Sequence, residues 1–248
     1  MKFYRINGFV LAALALLSCS KAGVHDGANA EGFVEFTTEN DWSVVEATKS
    51  AVSDYTTLPS KDDFTISVKN SDGTEIYKGL ISEWSADHKL SAGSYSVSAN
   101  YGSEGVEGFD KPYFTGSTPF SVLGGETTAV SIPTSLGNSI VKVAVTDMFK
   151  NYFPTYSFNV VTGSGATIAF PATETRGAFV DAYKLSVSGE ATKENGVKVQ
   201  IPSKDFHDLQ PATCYTITFD VTNVGGLKLT ISFNDTVETV ELGDVELN

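Results

Sequence analysis

The fold is decided by a short pattern that occurs twice, first as Leu90-Ser91-Ala92-Gly93-Ser94-Tyr95-Ser96-Val97-Ser98-Ala99. It returns, with one residue inserted, as Leu209-Gln210-Pro211-Ala212-Thr213-Cys214-Tyr215-Thr216-Ile217-Thr218-Phe219. Each copy is a leucine, a turn of small residues or proline, and a tyrosine that opens an alternating strand. This is typical of the tyrosine corner, in which the phenol oxygen bonds to backbone a few residues upstream and fixes a Greek-key crossover. Two copies predict two β-sandwiches; the alternative is two unrelated strand starts.

Apolar and polar residues alternate with a period of two along most of the chain from Gly32 onwards. The alternation is clear in Val34–Thr37 and Phe64–Lys69, as expected for strands with one face in a core and one in water. Turn residues at Asn70–Gly73 and Gly124–Gly125 predict hairpins. Only Met148–Phe153 is predicted to form a helical turn. We therefore predict an all-β fold of two tandem Greek-key β-sandwiches, immunoglobulin-like or transthyretin-like.

The N-terminal 18 residues resemble a secretory signal peptide. A basic segment, Met1–Arg5, precedes the apolar run Phe9–Leu17, which is much shorter than the roughly 20 residues that span a bilayer. The run ends in Leu16-Leu17-Ser18-Cys19, which resembles the bacterial lipobox. In such lipoproteins the cysteine is acylated and becomes the first mature residue, so Cys19 is the predicted lipidation site, with palmitate among the acyl groups. The alternative is an ordinary signal peptide with an incidental cysteine.

The predicted organisation follows from these features. A signal peptide, 1–18, precedes a lipidated flexible leash, 19–31, which is rich in small and polar residues. An N-terminal β-sandwich, 32–133, and a C-terminal β-sandwich, 138–248, follow, because 133–138 contains proline and glycine without periodicity. An acyl anchor holds a protein at a membrane, so we expect an outer-membrane protein exposed at the periplasmic or the external face.

Charge and cysteine content exclude several classes of partner. The chain has 30 acidic and 17 basic residues and a net charge of −13, which argues against binding to nucleic acid. Of the two cysteines, Cys19 is committed to lipid, so Cys214 has no disulfide partner. The sequence neighbours of Cys214 supply no base or positive charge, and we expect an unreactive thiol on a strand.

The sequence presents no catalytic or metal-binding motif. The three histidines, His25, His88 and His207, lie in unrelated segments, and no Gly-x-Ser-x-Gly elbow is present. Asp62-Asp63 and Asn70–Gly73 are the best oxygen clusters, and neither matches a calcium loop. A spatial triad cannot be read from sequence. We predict a protein that is not an enzyme and uses no cofactor or metal.

With these features together, the chain resembles the two-domain surface lipoproteins of gut Bacteroidales and, more broadly, the fimbrillin superfamily of pilus subunits and anchors. The resemblance is carried by Leu16–Cys19, Asp63–Val68, Leu90–Gly102, Phe109–Gly116 with Phe120–Val122, and Ser139–Val143. It implies adhesion, pilus assembly or glycan handling rather than catalysis. In fimbrillins a protease cuts behind the first strand and another strand replaces it. By that resemblance, Lys49 is the candidate cleavage site and the tail Val237–Leu247 a candidate donor, the alternative being an ordinary final strand.

Aromatic residues outside the alternating positions are candidates for glycan binding. Trp84, Tyr101 and Tyr113, with Phe109 and Phe114 nearby, are predicted to cluster around the loops of the first sandwich, where flat rings stack on sugars. The alternative is that they close the open end of that sandwich. The leading interpretation is a lipid-anchored adhesin or fimbria-associated subunit with other fimbrial subunits as partners. The other is a glycan-binding surface lipoprotein that captures host or dietary polysaccharide.

Overall fold

The computed structural model describes residues 30–46, 50–222, 228–233 and 236–240. The all-β class predicted from the alternation is confirmed. Within these ranges the helical elements are one α-helix and three 3₁₀ turns, namely α1 (Asp147–Tyr152), Val52–Asp54, Lys61–Asp63 and Ile81–Glu83. None of these helices is long and apolar enough to cross a membrane.

The first half of the chain forms a seven-stranded sheet and a two-stranded ribbon. Its strands are β1 (Glu31–Asp41), β2 (Ser43–Val44), β3 (Ser50–Ala51), β4 (Thr65–Asn70), β5 (Glu75–Leu80), β6 (Lys89–Ser91), β7 (Gly93–Tyr101), β8 (Gly108–Phe109), β9 (Phe114–Val122) and β10 (Thr127–Leu136). The order in the large sheet is β5-β4-β7-β9-β10-β1-β6, and β2 pairs with β3. The predicted turn Asn70–Gly73 connects β4 to β5, and Gly73 adopts φ +80° there.

Strand β1 lies inside the large sheet rather than at its edge. It pairs in parallel with β10 from Phe33–Thr127 to Asp41–Ser135, and antiparallel with the short β6 at its beginning. Val34 and Thr38 on one face are buried. The first strand after the predicted leash is therefore an integral part of the first core.

Strands β9 and β10 do not form the regular hairpin predicted around Gly124–Gly125. They pair only at Ser135–Thr115 and Leu136–Phe114, far from the turn that joins them. On its other edge β10 is paired with β1 over nine positions. The segment 133–138 is also strand except for Gly137, although its proline and glycine favour irregular structure. Since β9 is paired with β10 only beyond Pro133, the missing amide of that proline costs no ladder hydrogen bond to β9.

The second half forms two sheets. Its strands are β11 (Asn138–Val145), β12 (Thr155–Thr162), β13 (Thr167–Pro171), β14 (Ala178–Asp181), β15 (Lys184–Thr192), β16 (Lys198–His207), β17 (Cys214–Thr222), β18 (Lys228–Phe233) and β19 (Thr236–Val240). One sheet has the order β19-β18-β17-β11-β14-β8 and the other β13-β12-β15-β16. The alternation of apolar and polar residues covers all of these strands except β14, while β8 is contributed by the first half.

Buried side chains form two hydrophobic clusters, and strands β11, β14 and β17 contribute to both. Val141, Ala178 and Val180 belong to the second cluster, whereas Ile140, Phe179 and Cys214 belong to the first. Because successive residues of a strand point to opposite faces, these three strands are buried on both faces. The central sheet of the second half therefore packs directly against the core of the first.

Both predicted tyrosine hydrogen bonds are confirmed. The Tyr95 hydroxyl donates to the Ser91 carbonyl at 2.8 Å, four residues upstream. The Tyr215 hydroxyl accepts from the Gln210 amide at 2.9 Å, five residues upstream. The one-residue insertion in the second copy therefore lengthens the loop that the hydroxyl closes, and the upstream partner changes from a carbonyl to an amide.

We expect Tyr215→Phe to lower the free energy of unfolding by about 1–2 kcal/mol, because it leaves the Gln210 amide without its acceptor beside a buried ring. Tyr95→Phe should cost less, at most about 1 kcal/mol, because the hydrogen bond of Tyr95 is exposed whereas that of Tyr215 is partly buried. Water can therefore replace the Tyr95 hydroxyl. Urea denaturation of both variants measures these effects, with the exposed Tyr183→Phe as control. Equal stability of all three variants and the parent chain would contradict a structural role for the hydroxyls.

Candidate functional site

Two of the three predicted glycan-binding residues, Tyr101 and Tyr113, lie at the two ends of residues 101–113, which we call the bridging loop. This loop leaves β7 of the first half and crosses to the second half, where β8 pairs with β14 through Phe109–Ala178 and Gly108–Phe179. Its base is narrow: a Cβ at Gly102, where φ is +75°, would lie 2.2 Å from the Pro112 carbonyl oxygen. Only glycine fits there, so the base of the loop depends on this residue.

Glu107 anchors the bridging loop to the second half. Its carboxylate accepts hydrogen bonds from the hydroxyls of Thr162 and Ser164, and from the Asp181 backbone amide at 2.8 Å. Burial, together with the negative charges of Glu107 and Glu104, raises the pKa of Asp181. A raised carboxyl pKa favours the protonated form in the folded state. Attachment of the loop is therefore expected to weaken as the pH rises through the pKa of Asp181.

Arg176 holds the outer side of the bridging loop. Its guanidinium lies 2.9 Å from the carboxylates of both Asp110 and Glu174, and 4.5 Å from the centre of the Phe109 ring. Hydrogen bonds from Arg176 lower the pKa of Glu174 to about 2. These pairs are exposed, so they orient the loop more than they stabilise it.

Tyr101 lines a cavity of about 360 Å³ inside the bridging loop. One side of its ring packs against Phe64 and Phe114 of the first core. The cavity also carries Ser103, Asp110 and Lys111, so a partly exposed aromatic ring lies beside hydroxyl, carboxylate and ammonium groups. Of the three predicted glycan-binding residues, Tyr101 alone lines this cavity.

Trp84 lies in a different part of the molecule, where its indole is half-buried. Its Nε1 donates to the Val34 carbonyl at 2.8 Å, and its ring packs on Phe36, Tyr77 and His88 at centroid distances of 4.9, 4.8 and 4.5 Å. Trp84 therefore fastens the 3₁₀ segment after β5 onto strand β1.

Tyr113 is half-buried at the end of the bridging loop. Its hydroxyl donates to Asn100 Oδ1 at 3.2 Å, and its backbone amide donates to the side chain of Asn138. Asn138 is the first residue of β11, so Tyr113 connects the loop to the beginning of the second half. The two hydrogen bonds give this residue a clear structural role.

The three predicted residues do not form one binding surface. Trp84 contacts β1 at Val34 and Phe36, whereas Phe114, next to Tyr113, packs on Trp42 just beyond the other end of β1. The six positions from Phe36 to Trp42 correspond to about 20 Å of strand. The structure brings Tyr101 and Tyr113 to the same loop and leaves Trp84 apart.

The other two aromatic residues are also separated. Phe114 is fully buried in the first core, although the sequence placed it outside the alternating positions. Phe109 packs on Phe170 at 5.2 Å, within the second core. Phe109 is thus an anchor of the bridging loop in the second half, which its position in the sequence did not indicate.

Cys214 is buried where the two halves meet, in surroundings that its sequence neighbours do not reveal. Val45 forms a parallel bridge with Thr213, and Cys214 donates its amide to the Val45 carbonyl at 2.9 Å. Lys142 and Glu46 form an ion pair at 3.3 Å close by. Positive charge is thus present, contrary to the expectation, but burial outweighs it and raises the pKa of the thiol to about 11.

We expect the Cys214 thiol to be almost unreactive in the folded chain, as the sequence predicted. With a pKa of about 11, only about one molecule in a thousand carries the thiolate at pH 8. A thiol reagent should label native Cys19→Ala protein at least a hundredfold more slowly than the same protein in denaturant. Comparable rates in the two states would contradict the buried position.

The remaining predicted positions are the oxygen clusters, the histidines, the lipidation site and the cleavage site. In the described ranges, no group of three or more His, Cys, Asp or Glu side chains could hold a metal ion. His88 packs against Trp84, while His207 lies on β16. Cys19, His25 and Lys49 lie outside the described residues, so lipidation and proteolytic maturation stay predictions.

Comparison with known proteins places this chain in a family. It resembles in structure the fimbrial anchor protein Mfa2 from Porphyromonas gingivalis, with 10% identity over 85% of this chain and 99% of that one and a TM-score of 0.41. It also resembles a fimbrial assembly protein from Parabacteroides distasonis, with 10% identity over 86% and 99% of the two chains and a TM-score of 0.45. No curated protein matches the sequence significantly. Residues 30–247 match the model of one family, and the chain therefore belongs to that family, described as "Domain of unknown function (DUF4493)".

Proposed function

We propose that the protein is a lipid-anchored, non-enzymatic component of the cell envelope that acts as an adhesin or a fimbria-associated subunit. The anchor is Cys19, the membrane is the outer membrane, and the body works at the cell surface. The observation that carries this proposal is the position of β1. Ten residues, Ser20–Asn29, separate Cys19 from the first described residue, and β1 then enters the middle of a seven-stranded sheet.

This connection suits a protein that is held from one end. A pull on the anchored end acts along β1, whose nine paired positions with β10 run parallel to it. The hydrogen bonds of that ladder are then loaded together rather than one after another. An extended leash of ten residues spans at most about 35 Å, so the body stays close to the membrane.

We also propose the domain division that the sequence predicted, with Greek-key sandwiches at 32–133 and 138–248. Two tyrosine hydrogen bonds and two hydrophobic clusters support it. The bridging loop and the doubly buried strands β11, β14 and β17 join the two units closely. A partner would therefore bind the two units as one rigid body.

Attachment is tested by replacing Cys19 with Ala and separating cell fractions. We expect the parent protein in the outer-membrane fraction and the variant in soluble fractions, because acyl chains supply the membrane affinity. Surface proteolysis of whole cells then separates the external face from the periplasmic face. Membrane retention of the variant would contradict lipid anchoring through Cys19.

The fimbrial part of the proposal is tested with a protease specific for Lys and Arg. A cut at Lys49 would separate β1 and β2 from the rest of the chain and open the side of β10, where an incoming strand could pair. We expect loss of the N-terminal segment followed by a ladder of oligomers, and Lys49→Gln should prevent both. Loss of the segment without oligomers would exclude strand exchange.

Glycan capture is the second candidate function, and the cavity that Tyr101 lines favours it. An aromatic ring beside Asp110 and Lys111 can stack on a sugar while the polar groups bind its hydroxyls. A glycan array tests this with Tyr101→Ala, Tyr113→Ala and Trp84→Ala. Since Trp84 lies apart from the cavity, its replacement should leave binding intact if the cavity is the site.

A further inference from the structure

A second polar cavity lies on the outer face of the four-stranded sheet in the second half. Strands β15 and β16 place Lys184 opposite His207 and Ser186 opposite Asp205. The residues between them, Leu185 and Phe206, are buried in the core, so the four polar side chains point outward. Residues directly opposite each other on neighbouring strands are about 5 Å apart, and residues i and i+2 of one strand are about 7 Å apart. The four groups therefore cover an area close to that of one pyranose ring.

The cavity is closed on one side by the turn that follows β12. Gly163, Ser164 and Gly165 line it together with the four polar residues, and its volume is about 350 Å³. That volume lies at the lower end of the range for small-molecule sites. The site is thus a concave feature rather than a flat polar surface.

Tyr183 lies beside two of the residues that line this cavity, Gly163 and Lys184. Its ring packs beside Gly163, where a Cβ would lie 3.1 Å from it, and the Lys184 ammonium lies 5.7 Å from the ring centre. The side chain is 66% exposed, and among the large hydrophobic residues that are strongly exposed in the described part of the chain it is the one aromatic. An exposed ring at the edge of a polar cavity is the arrangement that stacks on a sugar.

The polar groups of this cavity are available to a ligand. In the described ranges, the side chains of Ser186, Asp205 and His207 form no hydrogen bond or ion pair with other protein groups. Asp205 forms no ion pair even with Lys184, which lies on the neighbouring strand. Elsewhere on this sheet the equivalent groups are paired: Glu190 accepts from Lys198 and Gln200, both at 2.7 Å. The unpaired set therefore coincides with the concave part of the face.

We propose that this cavity binds one neutral sugar residue of a polysaccharide. Asp205 accepts hydrogen bonds from sugar hydroxyls, Lys184 donates them, and Ser186 does both, while the Tyr183 ring covers the apolar face of the sugar. One carboxylate and one ammonium leave the cavity close to neutral, which favours a neutral hexose over an anionic sugar. The inference rests on glycan capture, the second function proposed above, and assigns it a site on the opposite half from Tyr101.

The test uses the Cys19→Ala chain on an array of neutral and anionic oligosaccharides, with titration calorimetry on the strongest neutral binder. We expect Tyr183→Ala and Asp205→Ala each to weaken binding at least tenfold. Asp87→Ala, an exposed carboxylate in a turn of the first half, should leave the affinity unchanged. All three positions are exposed, and equal urea midpoints confirm that the variants fold.

Four results would overturn the inference. Binding that is retained in both Tyr183→Ala and Asp205→Ala removes the site, and so does a preference for anionic glycans. Absence of any glycan binding by the parent chain removes both the site and glycan capture. Loss of binding in Tyr101→Ala together with retention in Tyr183→Ala would contradict the inferred site. It would support glycan capture by the bridging loop instead.

Discussion

Phe179→Ala is expected to lower the free energy of unfolding by about 3–5 kcal/mol, the usual cost of truncating a fully buried phenylalanine. Phe179 is completely buried, and it belongs to the first hydrophobic cluster although its strand, β14, lies in the second half. The cavity left by the truncated side chain lies between the two halves. Neither half can close it without moving relative to the other. We therefore expect the variant to loosen the contact between the halves as well as to destabilise the chain.

Phe158→Ala is the matched control. Phe158 is equally buried, but it lies on β12 and packs on Phe219 within the second cluster alone. Urea denaturation should show a similar loss for both variants. Hydrogen exchange should show loss of protection in the first half only for Phe179→Ala. A cost below about 1 kcal/mol for Phe179→Ala would contradict burial of both faces of β14.

Gly116→Ala is expected to cost about 3 kcal/mol or more, because overpacking that cannot relax is strongly destabilising. A Cβ at Gly116 would lie 1.8 Å from the Pro133 carbonyl oxygen and 2.9 Å from Thr134 Cα. Both neighbours are backbone atoms, so β9 and β10 would have to separate. The pairing at Ser135–Thr115 and Leu136–Phe114 lies beside this contact and would be lost first.

Ser117→Ala, the next position along β9, is the control for Gly116→Ala. Ser117 is exposed, and we expect its replacement to change stability by less than about 0.5 kcal/mol. Thermal and urea denaturation of the two variants measure the difference. Similar stability of both would show that β9 and β10 are not in close contact at Gly116.

The parts of the fold that depend on short-range patterns could be predicted from the sequence. Alternation located nearly every strand, and the spacing of Leu90 to Tyr95 and of Leu209 to Tyr215 predicted both tyrosine hydrogen bonds. These features depend on residues within about ten positions of each other. A local pattern is sufficient for them because backbone geometry sets which side chains meet.

Features that depend on contact between the two halves could not be predicted in this way. Strand β14 shows no alternation because Phe179 and Val180 are both buried, one in each cluster. Ile140-Val141 is also a consecutive apolar pair, and this pattern favours a strand that is buried on both faces. Likewise, nothing local in Glu107 or Phe109 indicates that the bridging loop attaches to Thr162 and Phe170.

The aromatic candidates illustrate the same limit for the binding site. Trp84 interrupts the alternation, and the structure explains this by a hydrogen bond to the Val34 carbonyl, 50 positions away. Tyr183 directly precedes β15, and its position in the sequence does not indicate that its ring is exposed. Burial of an aromatic ring depends on the tertiary neighbours, which the sequence alone does not provide.

We propose that fatty acids on Cys19 hold the body of the protein at the outer membrane through strand β1. Intact-mass spectrometry of the protein extracted from the membranes of its native host tests this proposal. We expect a chain that begins at Cys19 and carries a diacylglyceryl group on the thiol and an acyl group on the new amino terminus. A polypeptide of unmodified mass, recovered from the culture medium, would contradict it.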